Sequence, residues 1–238
     1  LLVSYLRTSD HSDSHHSWAI LALLVRFIRQ YWPDTRIVLR GDSHFCRPRM
    51  LNWCDRHHVD YIVGIGKNSR LLKEVDVPMM LVRKTQWQVG GKVAETFRFP
   101  YQAHSWKYPR WVVARLEESE LGSNPRFIIS SRYDDGFKLY YEQYCARGDM
   151  ENRIKDQQLS LFADRTSSTH WWANQWRLIL SGFAYTLFER LRTYLKKTPF
   201  ERMSPSNLRL KLIKVGAVII RNTRRIRVLM SDSYPYKA

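Results

Sequence analysis

The chain has 238 residues and a mass of 28.5 kDa, which is enough for one globular domain with a smaller subdomain. It carries 39 Lys and Arg against 22 Asp and Glu, so its formal net charge is +17 and its isoelectric point is about 10.0. Three cysteines exclude a disulfide scaffold and favour a reducing compartment, and the lack of a long uncharged apolar run excludes a membrane-spanning helix.

The first third of the chain alternates helix and strand patterns. Apolar residues recur three and four positions apart in HSWAILALLVRFIRQY (16–31), which predicts a helix. RPRMLNWCDRHH (47–58), with Pro48 in its first turn, predicts a second helix. The runs TRIVLRGD (35–42) and VDYIVGIG (59–66) are continuously apolar at their centres, which is typical of strands buried on both faces. This alternation with short links predicts parallel strands covered by helices.

The middle of the chain is rich in strand patterns. KVAETFRFPYQA (92–103), RWVVARLEES (110–119) and RFIISSRY (126–133) are separated by segments that contain Gly and Pro. This strand-rich pattern extends from about residue 72 to residue 132. It predicts a mainly antiparallel β-rich insertion.

The last hundred residues have mainly helical patterns. One helix is predicted from Leu139 to about Phe162 and a second, rich in Trp, from about Thr169 to Leu195. SNLRLKLIKVG (206–216) predicts a shorter helix, and AVIIRNTRRIRVLM (217–230) predicts a hairpin.

One stretch of the first of these helices, YYEQYCARGDMENRIKDQQ (140–158), contains a candidate catalytic acid. With 100° per residue, one face of an ideal helix groups Glu151 within about 40° of four polar side chains. These four are Tyr144, Arg147, Lys155 and Gln158. The other acids of the stretch, Glu142, Asp149 and Asp156, fall on the opposite side, where we expect them to be solvated. The alternative is a surface ladder of ion pairs at four-residue spacing, worth about 0.3–0.5 kcal/mol per pair.

A second candidate acid is Asp42, which ends the predicted strand 35–42. Ligand and metal sites in α/β sheets gather at the carboxyl ends of strands. The alternative is that Asp42 caps the following helix or forms a turn with Ser43. Two carboxylates in a very basic protein indicate a phosphodiester-cleaving site with Mg²⁺ or Mn²⁺, although such sites normally contain three carboxylates.

Charge and aromatic residues favour a nucleic-acid partner, because each neutralised phosphate releases condensed counterions. Trp87, Trp106 and Trp111 either stack on a displaced base or fill a small β core. Two basic runs either contact phosphates or form solvated faces: Arg190, Arg192, Lys196 and Lys197, and Arg221, Arg224, Arg225 and Arg227. A basic protein that merely stays soluble, or lies on ribosomes or membranes, is the alternative.

Residues 36–71 and 140–187 resemble DDE-type insertion-sequence transposases, most closely the IS thirteen-eighty group of the IS-four-like class. The resemblance covers essentially the whole chain. It implies an α/β fold with a ribonuclease-H-like core, interrupted by a β-rich insertion and followed by a helical C-terminal region. The implied ranges are 1–72 for the partial core, 73–138 for the insertion, and 139–238 for the closing helix with the helical and basic region.

The resemblance also implies roles for single residues. Asp42 matches the family's second catalytic Asp, and Glu151 matches its final Glu within the signature Tyr-x2-Arg-x3-Glu. Both would be metal ligands, while Tyr144, Arg147, Lys155 and Gln158 would contact DNA. The family often has Lys where this chain has Gln158. Whether Lys155, one turn nearer, takes over the phosphate contact of that Lys is left open by the resemblance.

The family's first Asp has no match in this sequence. Asp10 and Asp13 lie in a polar loop, RTSDHSDSHH (7–16), whereas the family carries this acid on the first core strand. We therefore expect the chain to lack the N-terminal region and to be an inactive or partial fragment.

The implied function is that of a bacterial DNA transposase, with metal-dependent cleavage at the element's terminal inverted repeats and strand transfer into target DNA. The implied active form is a homodimer, cytoplasmic and associated with the nucleoid. One alternative is a non-catalytic DNA-binding remnant with structural carboxylates. Another is a metal nuclease that takes its remaining acid from Asp10 or Asp13.

Overall fold

A computed structural model of the chain describes residues 1–8, 16–231 and 234. The chain forms two compact units, which we name the sheet unit (7–149) and the helical unit (1–6 with 150–238). The boundary between them falls inside helix α5, Gly148–Lys155.

The sheet unit is built on one mixed sheet. Its strands are β1 (Val38–Gly41), β2 (Asp60–Ile65), β3 (Val93–Tyr101), β4 (Arg110–Ser119), β5 (Gly122–Ser123) and β6 (Arg126–Ser130). The strand order is β1-β2-β6-β4-β3, and β5 pairs with β4. The β1–β2 pair is parallel, as predicted, and the other pairs are antiparallel.

Four helices lie in the sheet unit before the helical turns of residues 138–147, which we name the closing helical segment: α1 (Ser17–Tyr31), α2 (Pro48–Arg56), α3 (Ser69–Glu74) and α4 (Asp76–Val89). A short 3₁₀ turn, Ser43–Phe45, follows β1. The bounds of α1 and α2 confirm the predicted helices, and Pro48 occupies the first helical turn of α2, where a missing N–H costs nothing. Helix α4 was not predicted, since its apolar pattern is weak and Pro78 suggests an interruption. Pro78 lies in the first turn, where proline is tolerated.

Alternating strand residues build a core on each face of the sheet. One face packs against helices α1, α2 and α4 through a large apolar cluster that includes Val63, Ile129 and Val112, all fully buried. The other face packs Ile62, Val113 and Ile128 against the closing helical segment. The helices on both faces explain why central strands read as continuous apolar runs.

The prediction of burial on both faces is confirmed for β2 and wrong for β1. Four successive residues of β2, Tyr61 to Gly64, are buried. In β1 only Gly41 is buried, and the side chain of Val38 is 37% exposed. The reason is position, since within the described residues β1 is an edge strand that pairs only with β2.

The prediction of a β-rich region from about residue 72 is wrong as far as Val89, because α3 and α4 are helices, and from Val93 onward the region contains antiparallel strands that extend the same sheet. Strand β6 pairs with β2 from Ile62↔Ser130 to Ile65↔Phe127, and β4 and β3 follow outward. The predicted ranges of the partial core (1–72), the insertion (73–138) and the closing region (139–238) follow one another along the chain. This division into domains stays a prediction.

The helical unit contains the predicted C-terminal elements. They are the end of α5, a π-helical turn (Asp156–Ser160), α6 (Trp171–Tyr194), α7 (Pro205–Leu208), a second π-helical turn (Arg209–Ile213), and strands β7 (Ala217–Arg221) and β8 (Ile226–Met230). Residues 1–6 lie along α6, where the Gln175 side chain accepts from Leu6 N–H at 2.7 Å and donates to the Ser4 carbonyl at 3.1 Å. The mixed α/β class is confirmed. None of the described helices is both long and apolar enough to cross a membrane.

Candidate active site

Asp42 follows the last residue of β1, so it lies at a strand's carboxyl end, as predicted. Its Oδ1 accepts a hydrogen bond from the backbone N–H of His44 at 3.0 Å, and its Oδ2 lies 3.1 Å from His44 Nδ1. The aspartate therefore caps the 3₁₀ turn, which confirms the structural alternative for this residue. The Asp42 side chain is 45% exposed. Since each carboxylate oxygen can accept more than one bond, capping leaves it able to bind a ligand.

Gly64, in the neighbouring strand β2, brings the closing helical segment to the loop that carries Asp42. A Cβ atom at Gly64 would lie 2.7 Å from the Tyr144 hydroxyl oxygen, 3.1 Å from the Ser43 nitrogen and 3.3 Å from the Asp42 carbonyl carbon. A side chain there would displace the Tyr144 hydroxyl and press on the backbone of the loop, so glycine permits this approach. The Tyr144 hydroxyl consequently lies beside the Asp42 loop.

Two arginines extend this arrangement within the sheet unit. Arg40 Nη1, on β1, donates to the carbonyl oxygen of Gln143 at 2.9 Å and so ties the edge strand to the helical segment. The Arg147 guanidinium carbon lies 5.2 Å from the centroid of the Tyr144 ring. Three predicted site residues, Asp42, Tyr144 and Arg147, are thus linked through successive contacts at one end of the sheet.

The segment that contains Tyr144 and Glu151 is not an ideal α-helix. Residues Lys138–Tyr144 form π-helical turns and Cys145–Arg147 form a 3₁₀ turn before α5 begins at Gly148. Because these turns have different residues per turn, the constant 100° step does not apply across the segment. Tyr144 therefore lies beside the Asp42 loop because of its contact with Gly64, and not because it shares one face of a regular helix with Glu151.

The remaining predicted residues lie in the helical unit. Glu151 and Lys155 are in α5, Gln158 is in the following π-helical turn, and all three are exposed. Asp42 and Glu151 belong to different units, so their pairing in one site stays a prediction.

The expectation for the neighbouring acids is correct for two of them. Glu142 and Asp149 are exposed. Asp156 is not solvated as expected, because its Oδ2 accepts from Arg192 Nη2 at 3.0 Å and lies 3.8 Å from Arg153 Nη1. Arg192 is only 8% exposed and also donates to the Met203 carbonyl at 2.7 Å, so it stabilises the helical unit and does not face phosphate.

The described residues do not complete a metal site. Among them, no three His, Cys, Asp or Glu side chains converge closely enough to hold an ion. Asp42 supplies one exposed carboxylate, the hard oxygen ligand that Mg²⁺ prefers. Asp10 and Asp13, the candidates for a remaining acid, lie outside the described residues.

Three residues of this site were not among the predicted site residues: Arg40, His44 and Gly64. His44 follows Asp42 by two positions, which is the spacing of a turn closed by an aspartate side chain. A glycine inside a strand pattern signals a close approach by other atoms, and Gly64 had that pattern. No comparable signal marks the bond from Arg40 to a backbone carbonyl.

The three tryptophans of the β-rich region have different environments. Trp106 is 6% exposed in the core, as the core-filling alternative requires. Trp87 is 85% exposed and Trp111 is 41% exposed. The Arg98 guanidinium carbon lies 4.5 Å from the Trp111 ring centroid and 3.8 Å from that of Tyr133, so the arginine packs against both aromatic rings.

Comparison with known proteins identifies the family of this chain. No curated protein matches it. A family model described as "Transposase DDE domain group 1" matches residues 1–238. The match contains both Asp42 and Glu151 and every element described above. The chain therefore belongs to the DDE transposases.

Proposed function

We propose that this chain carries Asp42 and Glu151 as active-site acids of a transposase that performs metal-dependent DNA cleavage and strand transfer at the ends of a bacterial insertion sequence, and that cleavage also requires the family's first Asp, which has no match in this sequence. The observation that carries the proposal is the family match over residues 1–238. The contact of Tyr144 with Gly64 supports it, because it brings a residue of the family signature to the Asp42 loop.

Each side chain has a chemical role in this proposal. Asp42 and Glu151 would hold Mg²⁺ or Mn²⁺, which when bound activates the attacking oxygen and stabilises the leaving oxygen of a phosphodiester. The Tyr144 hydroxyl would donate to a phosphate oxygen, and Arg147 would place positive charge near it. Lys155 and Gln158, both exposed, would contact DNA farther from the reacting bond.

We further propose membership of the IS thirteen-eighty group and a ribonuclease-H-like core interrupted by the insertion at 73–138. The parallel β1–β2 pair with its helices precedes this range in the chain, and the antiparallel strands β3, β4 and β6 lie within it. The partner would be DNA at the nucleoid, in agreement with the net charge of +17.

Helix α6 supports a homodimer as the active form. Its inward residues include polar ones such as Asn174, Gln175 and Ser181, while an apolar stripe faces outward. The stripe consists of Trp172, Trp176, Leu180, Phe183, Leu187 and Tyr194, each 48–78% exposed. These residues fall within about 80° around the helix axis. They expose on the order of 700 Å², close to the roughly 800 Å² that each partner contributes to a standard interface.

A non-catalytic DNA-binding remnant is the second candidate function. It is favoured by the capping role of Asp42, which gives the carboxylate a structural reason to be present. Calorimetric titration with Mn²⁺ separates the two functions. Heat of binding that Asp42→Asn abolishes supports the enzyme, and its absence from the unsubstituted chain supports the remnant.

The decisive experiment compares Glu151→Gln with Asp149→Asn, an exposed acid two residues away. Both substitutions are made in a transposase of this family that supplies the first Asp, and the substrate is a plasmid that carries the ends of the encoding element, with Mg²⁺ or Mn²⁺ present. We expect Glu151→Gln to reduce cleavage at least about a hundredfold while DNA binding is kept. Asp149→Asn should cleave like the unsubstituted chain. Normal cleavage by Glu151→Gln would contradict the assignment of this site.

A further inference from the structure

The hairpin of β7 and β8 is a separate two-stranded sheet. Its strands pair antiparallel from Ala217↔Met230 to Arg221↔Ile226. All ten strand residues are exposed, so the described part of the chain covers neither face. A lone two-stranded hairpin is marginally stable in water at best, so the hairpin needs a partner to be fully ordered.

Its charge indicates what kind of partner this is. Residues 202–231 contain no Asp or Glu and eight cations: Arg202, Arg209, Lys211, Lys214, Arg221, Arg224, Arg225 and Arg227. Four of the eight lie at the hairpin tip, between positions 221 and 227. Among the described residues, no acid forms an ion pair with these four. A polyanion is the complementary partner.

Hydrogen bonds of Asn222 close the turn at the tip of the hairpin. The Asn222 side chain oxygen accepts from the N–H groups of Arg224 at 3.1 Å and Arg225 at 2.8 Å, and Asn222 N–H donates to the Arg225 carbonyl at 3.0 Å. The backbone is therefore satisfied within the turn. The arginine side chains remain available to bind other groups.

The strand register places cations on both faces of the ribbon. Arg221 pairs with Ile226, and Arg227 pairs with Ile220, so the two arginines lie on opposite faces. A DNA groove has a phosphate backbone on each side, and this arrangement matches it. A flat acidic surface would contact only one of the two faces.

The dimensions and the apolar side chains fit the major groove. Five-residue strands are about 17 Å long, and the major groove of B-DNA, about 12 Å wide, admits a two-stranded ribbon. Exposed apolar residues such as Ile219, Val228 and Leu229 can contact thymine methyl groups there.

We propose that residues 217–230 form a β-ribbon arm that inserts into the major groove of duplex DNA, with the arginines of its tip on the phosphates of both strands. The arm is a second DNA-binding element, separate in sequence from Asp42 and Glu151. This inference rests on the proposed function, which supplies DNA as the partner.

The test measures binding of a 30-base-pair duplex by fluorescence anisotropy at several salt concentrations. The variant Arg224→Gln/Arg225→Gln removes two tip cations without touching Asn222. The matched control Arg26→Gln/Lys84→Gln removes two exposed cations from the sheet unit. We expect the tip variant to weaken binding at least tenfold and to lower the slope of log K against log salt by about 1.8, which is 0.9 per phosphate contact. The control should change both quantities much less.

Two further measurements separate lost charge from misfolding, and duplex DNA from duplex RNA. Arg224→Lys/Arg225→Lys keeps the charge and should keep most of the salt slope, which a misfolded hairpin would not. Double-stranded RNA should compete poorly, because its major groove is too narrow for a ribbon. Equal competition by double-stranded RNA, or a tip variant that binds DNA like the control variant, would overturn the proposal of a β-ribbon arm. If the unsubstituted chain bound no duplex at all, the proposed function itself would fail.

Discussion

The hydroxyl group of Tyr144 lies directly over Gly64, at a position where a Cβ atom would come within 2.7 Å of the oxygen. The same Cβ would press on the backbone of Ser43 and Asp42, at 3.1 and 3.3 Å. Glycine at position 64 therefore allows the Tyr144 hydroxyl and the loop of the candidate acid to approach the same point of β2.

Gly64→Ala should consequently damage the site more than the fold. The added methyl group must displace either the tyrosine or the Asp42 loop, and such overpacking costs about 1–3 kcal/mol of unfolding free energy. DNA cleavage should fall further than this loss of stability explains. Urea unfolding and the plasmid cleavage assay measure the two effects.

Gly66→Ala is the matched control, since nothing lies within 4 Å of a Cβ at Gly66. It should leave the unfolding free energy within about 0.5 kcal/mol of the original. Tyr144→Phe removes the nearest atom and should restore part of the stability lost in Gly64→Ala. If the two substitutions at Gly64 and Tyr144 were simply additive, the contact would not limit the packing.

The outward stripe of α6 predicts how the chain associates. Phe183→Glu places a charge in the middle of the stripe and should weaken a dimer at least about thirtyfold, the effect of losing a contact worth about 2 kcal/mol. Sedimentation velocity over a range of concentrations measures this. Leu121→Glu, at a fully exposed leucine in the sheet unit, is the control and should not change association. An unsubstituted chain that stays monomeric at high concentration would exclude this face as a dimer interface.

The pH dependence of stability should contain a contribution from Glu117. A hydrogen bond from Lys92, with Nζ at 2.6 Å, is the main cause that lowers its pKa to about 2, and Arg115 and Asn124 also donate to this carboxylate. In the unfolded chain the carboxylate has its ordinary pKa of 4.5. The stabilisation is therefore fully present above pH 4.5 and is lost as the pH falls toward 2.

Glu117→Gln should destabilise the sheet unit by about 1–2 kcal/mol at pH 7, a modest value because Lys92 is 61% exposed. The difference from the unsubstituted chain should shrink between pH 4.5 and 2. Urea unfolding at a series of pH values measures this difference. Glu95→Gln, on the exposed side of β3, is the matched control for the removal of one carboxylate. If the difference in unfolding free energy between Glu117→Gln and the unsubstituted chain stayed constant over that pH range, Glu117 would not be the cause of the pH dependence.

Local pattern was enough to predict most elements. The helices at α1, α2 and α6, the strands β2, β3, β4 and β6, and the C-terminal hairpin follow from apolar periodicity, Gly and Pro positions and strand-forming residues. These properties act over a few residues, so they can be read from the sequence. The resemblance to DDE transposases was also read from local sequence, and the family match over residues 1–238 confirms the family, while the role of Glu151 stays a prediction.

Position within the fold decided the rest. β1 and β2 have similar apolar centres, yet β1 lies at the sheet edge and is half exposed, because exposure depends on which strands pair. Asp156 resembled its solvated neighbours in sequence, but Arg192, thirty-six residues away, pairs with it. The meeting of Tyr144 with Gly64 depends on contacts across eighty residues and on π-helical and 3₁₀ turns that no regular period anticipates. Local sequence predicted candidate residues for the chemistry, and only tertiary packing showed that Tyr144 lies beside the Asp42 loop, because a local period carries no information about distant contacts.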